Sequence, residues 1–509
     1  MTASARRLDR FETEAAFAVI FVAAVVAAAM VPWIVSGRLL AYAQPGTVAI
    51  VLAAGFVWRP TAGLLAFAVF VLIYDTLGVW FGGAVKRADE LAIPMLVLIG
   101  LIRYRPWRTW EWSWLRDGGL TVFVAAGLAS SLLGGVPLTI WPVALVLLVK
   151  PIVAFYLAMW VQPDRRAMLG AARVLLVVGM ALLLPALVFE AYNQAAFQQA
   201  LGLPDYVRPR GTLPAIKSIF THPAVFAWFM SFLALYCFVG YVHMRHRLLL
   251  VMGFFFSVGT FMAARRRVIL AALGSLFATF LWSVRRPRRL IEEGRRWLPV
   301  FAATVLVVIA FIPGLLGLYE RTVDRFGSST DPGETPTEVV DDEAPGTAPA
   351  RVALYQGAVA IATDHFPLGG GMGRYASWMS RVEYSPLYEE YGLSDIRGLR
   401  EDASMFATDT FWPMILGETG VVGALGYVAF LAGIALAIWR AGRAELDPFA
   451  RTMVVGALAV LVAAGIESVA APMFTSPPRS YLLFAAIGAS LAFARSVASA
   501  PSAEEARLS

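Results

Sequence analysis

The stretch Phe261-Met262-Ala263-Ala264-Arg265-Arg266-Arg267-Val268-Ile269-Leu270 places three consecutive arginines between two long apolar runs. Apolar runs of about twenty residues predict membrane-spanning helices. Arginines between two spans are ordinary on the cytoplasmic side of a membrane, where anionic lipid favours them. The charge pattern of the other loops instead predicts that these three lie on the outer side, at the start of the following helix.

The composition is that of a helical membrane protein. Apolar residues make up 59% and charged residues 15% of the 509-residue chain, and the mean hydropathy is +0.69. Soluble domains contain roughly 45–50% apolar and about 25% charged residues. We therefore predict an all-α polytopic membrane protein and do not interpret the net charge of +7 as nucleic-acid binding. Cys237 is the only cysteine and the four histidines lack ligand spacing, so we predict neither an internal disulfide nor a metal site.

The loop charges predict the orientation of the chain. Basic residues are densest in Arg285-Arg286-Pro287-Arg288-Arg289, and other short basic loops alternate with it. Because basic loops stay in the cytoplasm, both termini are expected inside. We predict about 12–14 transmembrane helices, of roughly twenty residues each. The apolar segments lie near 14–36, 39–58, 62–81, 90–104, 118–136, 139–161, 167–190, 222–243, 247–264, 266–283, 297–318, 411–440, 451–471 and 479–496.

Two outer connections are long, at about 191–221 and 319–410. The second begins with a Ser-, Pro- and acid-rich stretch at 327–349, which predicts flexibility. An amphipathic helix from Arg351 and a glycine-rich turn from Pro367 to Tyr375 follow. The regions are thus N-terminal helices (1–190), central helices with the first outer loop (191–318), the large outer loop (319–410), and C-terminal helices with a cytoplasmic tail (411–509).

Ionisable residues inside apolar runs are expensive and usually face the interior of a helix bundle. Lys150 lies near the middle of one run, where it predicts either a substrate contact or an internal ion pair with a residue such as Asp75 or Glu467. Glu190 ends a span on the outer side, where it could face the same cavity as the arginines. Glu418 lies in Leu416-Gly417-Glu418-Thr419-Gly420, whose glycines predict a broken helix.

The arginine triplet suits a phosphate group. Unpaired N–H groups at a helix N-terminus favour an anion, and guanidinium groups bind phosphate oxygens in bidentate fashion. The alternative is a basic loop whose side chains reach the lipid headgroups. The glycine run at 369–373 lacks the lysine and the βαβ context of a nucleotide loop, so nucleotide binding is excluded.

Four motifs over about 205–425 together resemble the O-antigen ligase and polymerase superfamily of bacterial envelope glycosyltransferases. Their order and spacing around one long outer loop carry the resemblance. They are Arg208-Pro209-Arg210-Gly211 with Thr221-His222-Pro223-Ala224, then Ala264-Arg265-Arg266-Arg267, then Asp364-His365-Phe366-Pro367-Leu368-Gly369-Gly370-Gly371-Met372-Gly373-Arg374-Tyr375, and finally Thr408-Asp409-Thr410-Phe411-Trp412 with Leu416-Gly417-Glu418-Thr419-Gly420.

The resemblance implies a GT-C-type fold and transfer of a glycan from undecaprenyl pyrophosphate to a glycan or lipid acceptor. It also implies a site on the periplasmic side of the bacterial inner membrane, without metal or cofactor. Membrane lipids and a regulator of chain length are the further partners. Asp409 and Glu418 are the catalytic candidates. The pyrophosphate-binding candidates are Arg208, Arg210, Arg265, Arg266 and Arg267, and the further candidates are Lys150, Glu190, Arg351 and Arg374.

Three functions stay open. Ligases of the superfamily carry His-Asn at the last motif, whereas this chain has Asp409-Thr410, which favours a polymerase of repeat units. A ligase joining the glycan to a lipid core or a protein is the second hypothesis, and a flippase is the third. Asp409 itself could accept the acceptor's proton or could cap the following helix.

Overall fold

The computed structural model describes residues 40–108, 110–204, 215–284, 290–327 and 347–498. Within these ranges the regular structure is helical and contains no β-strand, which confirms the all-α prediction. The predicted span at 14–36, the residues Arg208 and Arg210, the arginines of 285–289 and most of 327–349 lie outside the described residues.

Seventeen α-helices follow one another through the described ranges. They are α1 (Leu40–Trp58), α2 (Pro60–Phe81), α3 (Ala88–Tyr104), α4 (Gly119–Leu133), α5 (Trp141–Val161), α6 (Arg165–Pro185), α7 (Gln194–Ala200), α8 (Pro223–Met244), α9 (Arg247–Met262), α10 (Arg266–Ser283), α11 (Leu290–Gly327), α12 (Thr347–Asp364), α13 (Trp378–Val382), α14 (Leu387–Glu390), α15 (Trp412–Ala441), α16 (Pro448–Glu467) and α17 (Arg479–Ala498).

Nine of the described helices are long and apolar enough to cross a membrane. They are α2, α5, α6 with the turn that extends it to Glu190, α8, α10, the Ile291–Ile312 part of α11, α15, α16 and α17. The Ala43–Trp58 part of α1 and all of α9 are apolar but shorter. Every predicted apolar segment from 39 onward coincides with a helix.

Helix α8 is the centre of the bundle. Its sequence is apolar on every side, and 83% of its membrane-length window is buried, because a helix without a polar face must be surrounded. It packs against α9 and α16, and α16 packs in turn against α10 and α17. Helices α1 to α3 form a second apolar core around Phe56 and Phe67, which joins the centre through α5 and α17.

The glycine-rich turn and the start of α15 interlock. Gly420 interrupts the helix with φ 65° and ψ −168°, which confirms the predicted break. The N–H of Gly370 donates to the carbonyl of Gly417 (2.8 Å), and that of Gly371 donates to the carbonyl of Glu418 (3.0 Å). A Cβ on Gly369 would lie 2.5 Å from the carbonyl oxygen of Gly417, so this approach requires glycine.

Candidate functional site

The arginine triplet lies at the N-terminus of α10, as its sequence predicts. Arg265 is the N-cap residue and the helix begins at Arg266. Arg265 is only 2% exposed, and its Nη2 lies 3.0 Å from Nε2 of His222. Ala264 just before it has φ 53°, a left-handed conformation that an L-residue adopts only when its surroundings hold it there. The backbone conformation at Ala264 therefore helps to fix the position of Arg265 at the start of α10.

Arg267 shares one carboxylate with an arginine that begins the last helix. Oε1 of Glu467 lies 3.1 Å from Nη1 of Arg479 and 3.7 Å from Nε of Arg267. Glu467 is 2% exposed and Arg479 is also buried. These three residues, the arginine cluster, join the start of α10, the end of α16 and the start of α17. Two guanidinium groups around one carboxylate leave an environment that favours further negative charge.

Asp409 forms an ion pair with Arg351 of α12, with Nη2 and Oδ2 2.9 Å apart. Asp409 is 8% exposed. The alternative interpretation of Asp409 as a helix cap is wrong, because α15 begins at Trp412 and its N-cap residue is Phe411, without a side-chain cap. The capping position lies two residues beyond the aspartate, and the carboxylate of Asp409 pairs with a guanidinium group instead of a helix end.

A connecting segment, residues 468–478 between α16 and α17, brings these groups together. Arg267 Nη1 donates to the carbonyl of Ala470 (2.9 Å), and Tyr355 of α12 donates to that of Val469 (2.9 Å). Trp412, at the start of α15, donates to Oγ of Ser468 at 2.9 Å. The arginine cluster and the two helices that adjoin the Arg351–Asp409 pair, α12 and α15, therefore contact the same short segment. We name this end of the bundle the arginine face.

Glu418 is buried beneath the glycine-rich turn. Its Oε1 accepts from the backbone N–H of Tyr375 (3.1 Å), and its carbonyl accepts from Oγ of Ser130 (2.9 Å). The side chain of Glu418 is fully buried, and its hydrogen bond stabilises the glycine-rich turn. The half-buried Arg374 lies on the same turn. These contacts indicate a positioning role for Glu418 and leave Asp409 as the stronger candidate base.

Lys150 is not part of this site. Its Nζ lies 2.8 Å from Oδ2 of Asp89, and the hydroxyl of Tyr481 donates to the same oxygen at 2.8 Å. We name these three residues the lysine cluster. The structure thus shows an internal ion pair, but the suggested partners Asp75 and Glu467 are wrong, because each of them pairs with another cation.

Glu190 stabilises a loop next to the arginine triplet. Its carboxylate accepts from the backbone N–H groups of Lys217 (2.9 Å) and Ser218 (2.6 Å) and from the amide of Gln198 (2.7 Å). The neighbouring Ile216 donates its N–H to the carbonyl of Met262, three residues before Arg265. Glu190 is therefore engaged in holding the loop on which the arginine turn rests.

Residues 251–428 match the family model described as O-antigen ligase. This segment of the chain is similar to the O-antigen ligase family. This match supports the superfamily predicted from the motifs, and a comparison with curated proteins gives no match. The matched segment includes the arginine triplet, the Arg351–Asp409 pair, the glycine-rich turn and Glu418, so it contains most of the site.

Three residues of the site lie outside the matched segment: His222, Glu467 and Arg479. His222 belongs to one of the four motifs, whereas the sequence indicates no site role for Glu467 or Arg479. A signal for two of them exists, since Glu467 ends one apolar run and Arg479 begins the next. Opposite charges at the ends of consecutive spans must lie on the same side of a membrane, and pairing makes their burial tolerable.

Proposed function

We propose that the protein transfers a glycan from undecaprenyl pyrophosphate to the hydroxyl of a growing glycan, and so polymerises repeat units at the arginine face. The observation that carries this proposal is that the arginines at the start of α10 and the helices next to the Arg351–Asp409 pair contact one segment, residues 468–478. With the orientation predicted by the loop charges, this face is periplasmic and the membrane is the bacterial inner membrane.

The chemistry needs a binding site for a leaving pyrophosphate and an acceptor for one proton. The acceptor oxygen forms a bond to the anomeric carbon, the bond from that carbon to the pyrophosphate oxygen breaks, and the electron pair leaves with the lipid pyrophosphate. Arg265 and Arg267 would stabilise that charge, assisted by the N-terminus of α10. The carboxylate of Asp409 would take the proton of the hydroxyl.

Arg351 would link the two halves of the reaction. A guanidinium beside a carboxylate stabilises its ionised form and weakens it as a base. A pyrophosphate that arrives at the arginine face competes for the same guanidinium. Transfer of Arg351 from Asp409 to the pyrophosphate would therefore strengthen the base only when the donor is bound.

A ligase that joins the glycan to a lipid core or a protein is the second candidate function. The family description favours it, whereas Asp409-Thr410 at the last motif favours the polymerase. Both functions use the same donor and leaving group, so they differ only in the acceptor.

One experiment tests the proposal and separates the two functions. Purified protein is given lipid-linked repeat units alone, and the products are resolved by size. A polymerase produces a ladder of products that lengthens with time, and the Arg267→Ala variant lengthens it at least about tenfold more slowly. A parent that makes a product only after a lipid-core acceptor is added acts as a ligase. Transfer at the parent rate by the variant would refute the role of the arginine cluster.

A further inference from the structure

Helix α6 stands apart from the bundle. Only 22% of its membrane-length window is buried, against 83% for α8. Two cavities flank its first half and meet at Ala171, which lines both of them. In a chain that spans a membrane, such a separation leaves room that another molecule must fill, since protein interiors are otherwise close-packed.

The first cavity, of about 420 Å³, is polar at its mouth and apolar inside. Arg59, Tyr104, Gln162 and Asp164 line it where α1, α3 and α5 end and where α2 and α6 begin. The deeper lining comes from α2 and from the small residues of α6, and it reaches Val174, about 14 Å along the helix from Arg165. A Cβ added to Gly170 would meet no atom within 4 Å, so the cavity is open beside it.

The second cavity, of about 160 Å³, lies against the neighbouring face of α6 and is almost wholly apolar. Its walls come from α6, α8, α16 and α17 and include Leu175, Phe232, Met453 and Ala486. Water is poorly stabilised in such a cavity, because the lining offers it too few hydrogen-bonding partners. An alkyl chain is the occupant that fits an apolar space within a membrane.

The mouth carries one basic and one acidic side chain, Arg59 and Asp164. That pair matches a headgroup with one phosphate and one ammonium group. We propose that the cleft around α6 binds a zwitterionic glycerophospholipid of the phosphatidylethanolamine type. Its phosphate lies at Arg59, its ammonium points towards Asp164, and one acyl chain follows the small-residue side of α6 into the apolar cavity.

The location distinguishes this lipid from the lipid pyrophosphate of the proposed reaction. The cleft opens at the start of α6, whereas Glu190, at the far end of the same 26-residue span, holds the loop beneath the arginine turn. A helix of that length reaches about 39 Å, the full depth of a membrane. The headgroup at Arg59 therefore belongs to the leaflet opposite the arginine face, and the site is independent of the proposed function.

Native mass spectrometry after reconstitution tests this site. The full chain is placed in nanodiscs of phosphatidylethanolamine, phosphatidylglycerol or an equal mixture, extracted into mild detergent, and its retained lipid is counted. We expect about one phosphatidylethanolamine per chain, selected from the mixture. Gly170→Leu fills the cleft with a better helix former than glycine, so it is expected to fold and to reduce retention at least about tenfold.

Two further variants complete the test. Gly294→Leu in α11, where an added Cβ also meets nothing within 4 Å, is the matched control and is expected to retain the lipid. Asp164→Asn is expected to lose the preference for phosphatidylethanolamine over phosphatidylglycerol, because only the ammonium distinguishes the two headgroups, and asparagine can keep the helix cap that Asp164 makes to the N–H of Ala167. Equal retention by Gly170→Leu and the parent, or no lipid on the parent, would overturn the proposal. Selection of phosphatidylglycerol by the parent would overturn the headgroup assignment.

Discussion

The arginine cluster and the lysine cluster are two ways of burying charge in one bundle. In the lysine cluster, one carboxylate oxygen of Asp89 accepts from one ammonium and one phenol, and the set joins α3, α5 and α17. In the arginine cluster, one carboxylate oxygen of Glu467 faces two guanidinium groups, and Arg267 also donates to the connecting segment 468–478. The first turn of α17 serves both clusters, through Arg479 and Tyr481.

The difference lies in charge and in location. The lysine cluster pairs one positive with one negative charge between packed helices, which is the arrangement of a structural ion pair. The arginine cluster has a net positive charge and lies at the ends of three helices, where a ligand can bind. We therefore expect substitutions in the lysine cluster to change stability, and substitutions around the arginine cluster to change glycan transfer.

The largest effect is expected for Asp409→Asn. Asparagine keeps the shape of the side chain but cannot accept the proton, so turnover of lipid-linked repeat units should fall by about a hundredfold to ten-thousandfold. The amount of folded protein should match the parent, because Asp409 caps no helix. Asp364→Asn, an exposed position of α12 bonded to Tyr391, is the control and should keep the parent rate. Near-parent turnover by Asp409→Asn would exclude this residue as the base.

Asp89→Asn should act on stability instead. It leaves the charge of Lys150 buried without its carboxylate, which costs about 3–5 kcal/mol. Thermal unfolding in detergent should show the loss, and the further substitution Lys150→Met should recover much of it by removing the orphaned charge. Each folded molecule should still transfer glycan. An Asp89→Asn variant that is as stable as the parent but inactive would show that the lysine cluster acts in transfer and not in stability.

The sequence predicts the helices of this fold well and the pairing between them poorly. Apolar runs of sufficient length identify the spans, and Gly417 and Gly420 identify the kink, because these are local properties. The partner of Lys150 lies 61 residues away, and nothing local distinguishes Asp89 from Asp75. For the same reason the sequence does not predict the pairing of Glu467 with Arg479 and Arg267, because that pairing depends on where α10 packs.

The start of α15 shows a second limit. Asp409 precedes an apolar run and is a preferred capping residue, so a cap was a reasonable interpretation. The helix begins later, at Trp412 with Pro413 in its first turn, a position that proline favours. A helix start predicted from sequence is uncertain by one or two residues. Here that difference places Asp409 before the N-cap position, where its carboxylate pairs with Arg351.

A smaller effect is expected at the interlocked turn. Gly420→Ala places a Cβ 2.3 Å from the carbonyl carbon of Leu368 at a residue with φ 65°, so the turn or the helix must move. A non-glycine residue held in such a conformation costs about 1–3 kcal/mol. Gly465→Ala in α16, where an added Cβ meets nothing within 4 Å, is the matched control and should unfold at or slightly above the parent temperature, because alanine is the better helix former. Equal unfolding temperatures for both variants would show that the turn is not held rigidly.

The central claim is that the arginine cluster binds a lipid pyrophosphate, and direct binding tests it without any acceptor or turnover. Titration of purified protein with undecaprenyl pyrophosphate should show affinity about tenfold to a hundredfold lower for Arg267→Ala, the loss expected for a hydrogen bond to a charged group. Arg267→Lys should recover little, because an ammonium cannot reproduce the bidentate geometry. Lys150→Met should bind as the parent does. Equal affinity of Arg267→Ala and the parent, with Lys150→Met weakened, would contradict the claim and transfer the ligand-binding role to the lysine cluster.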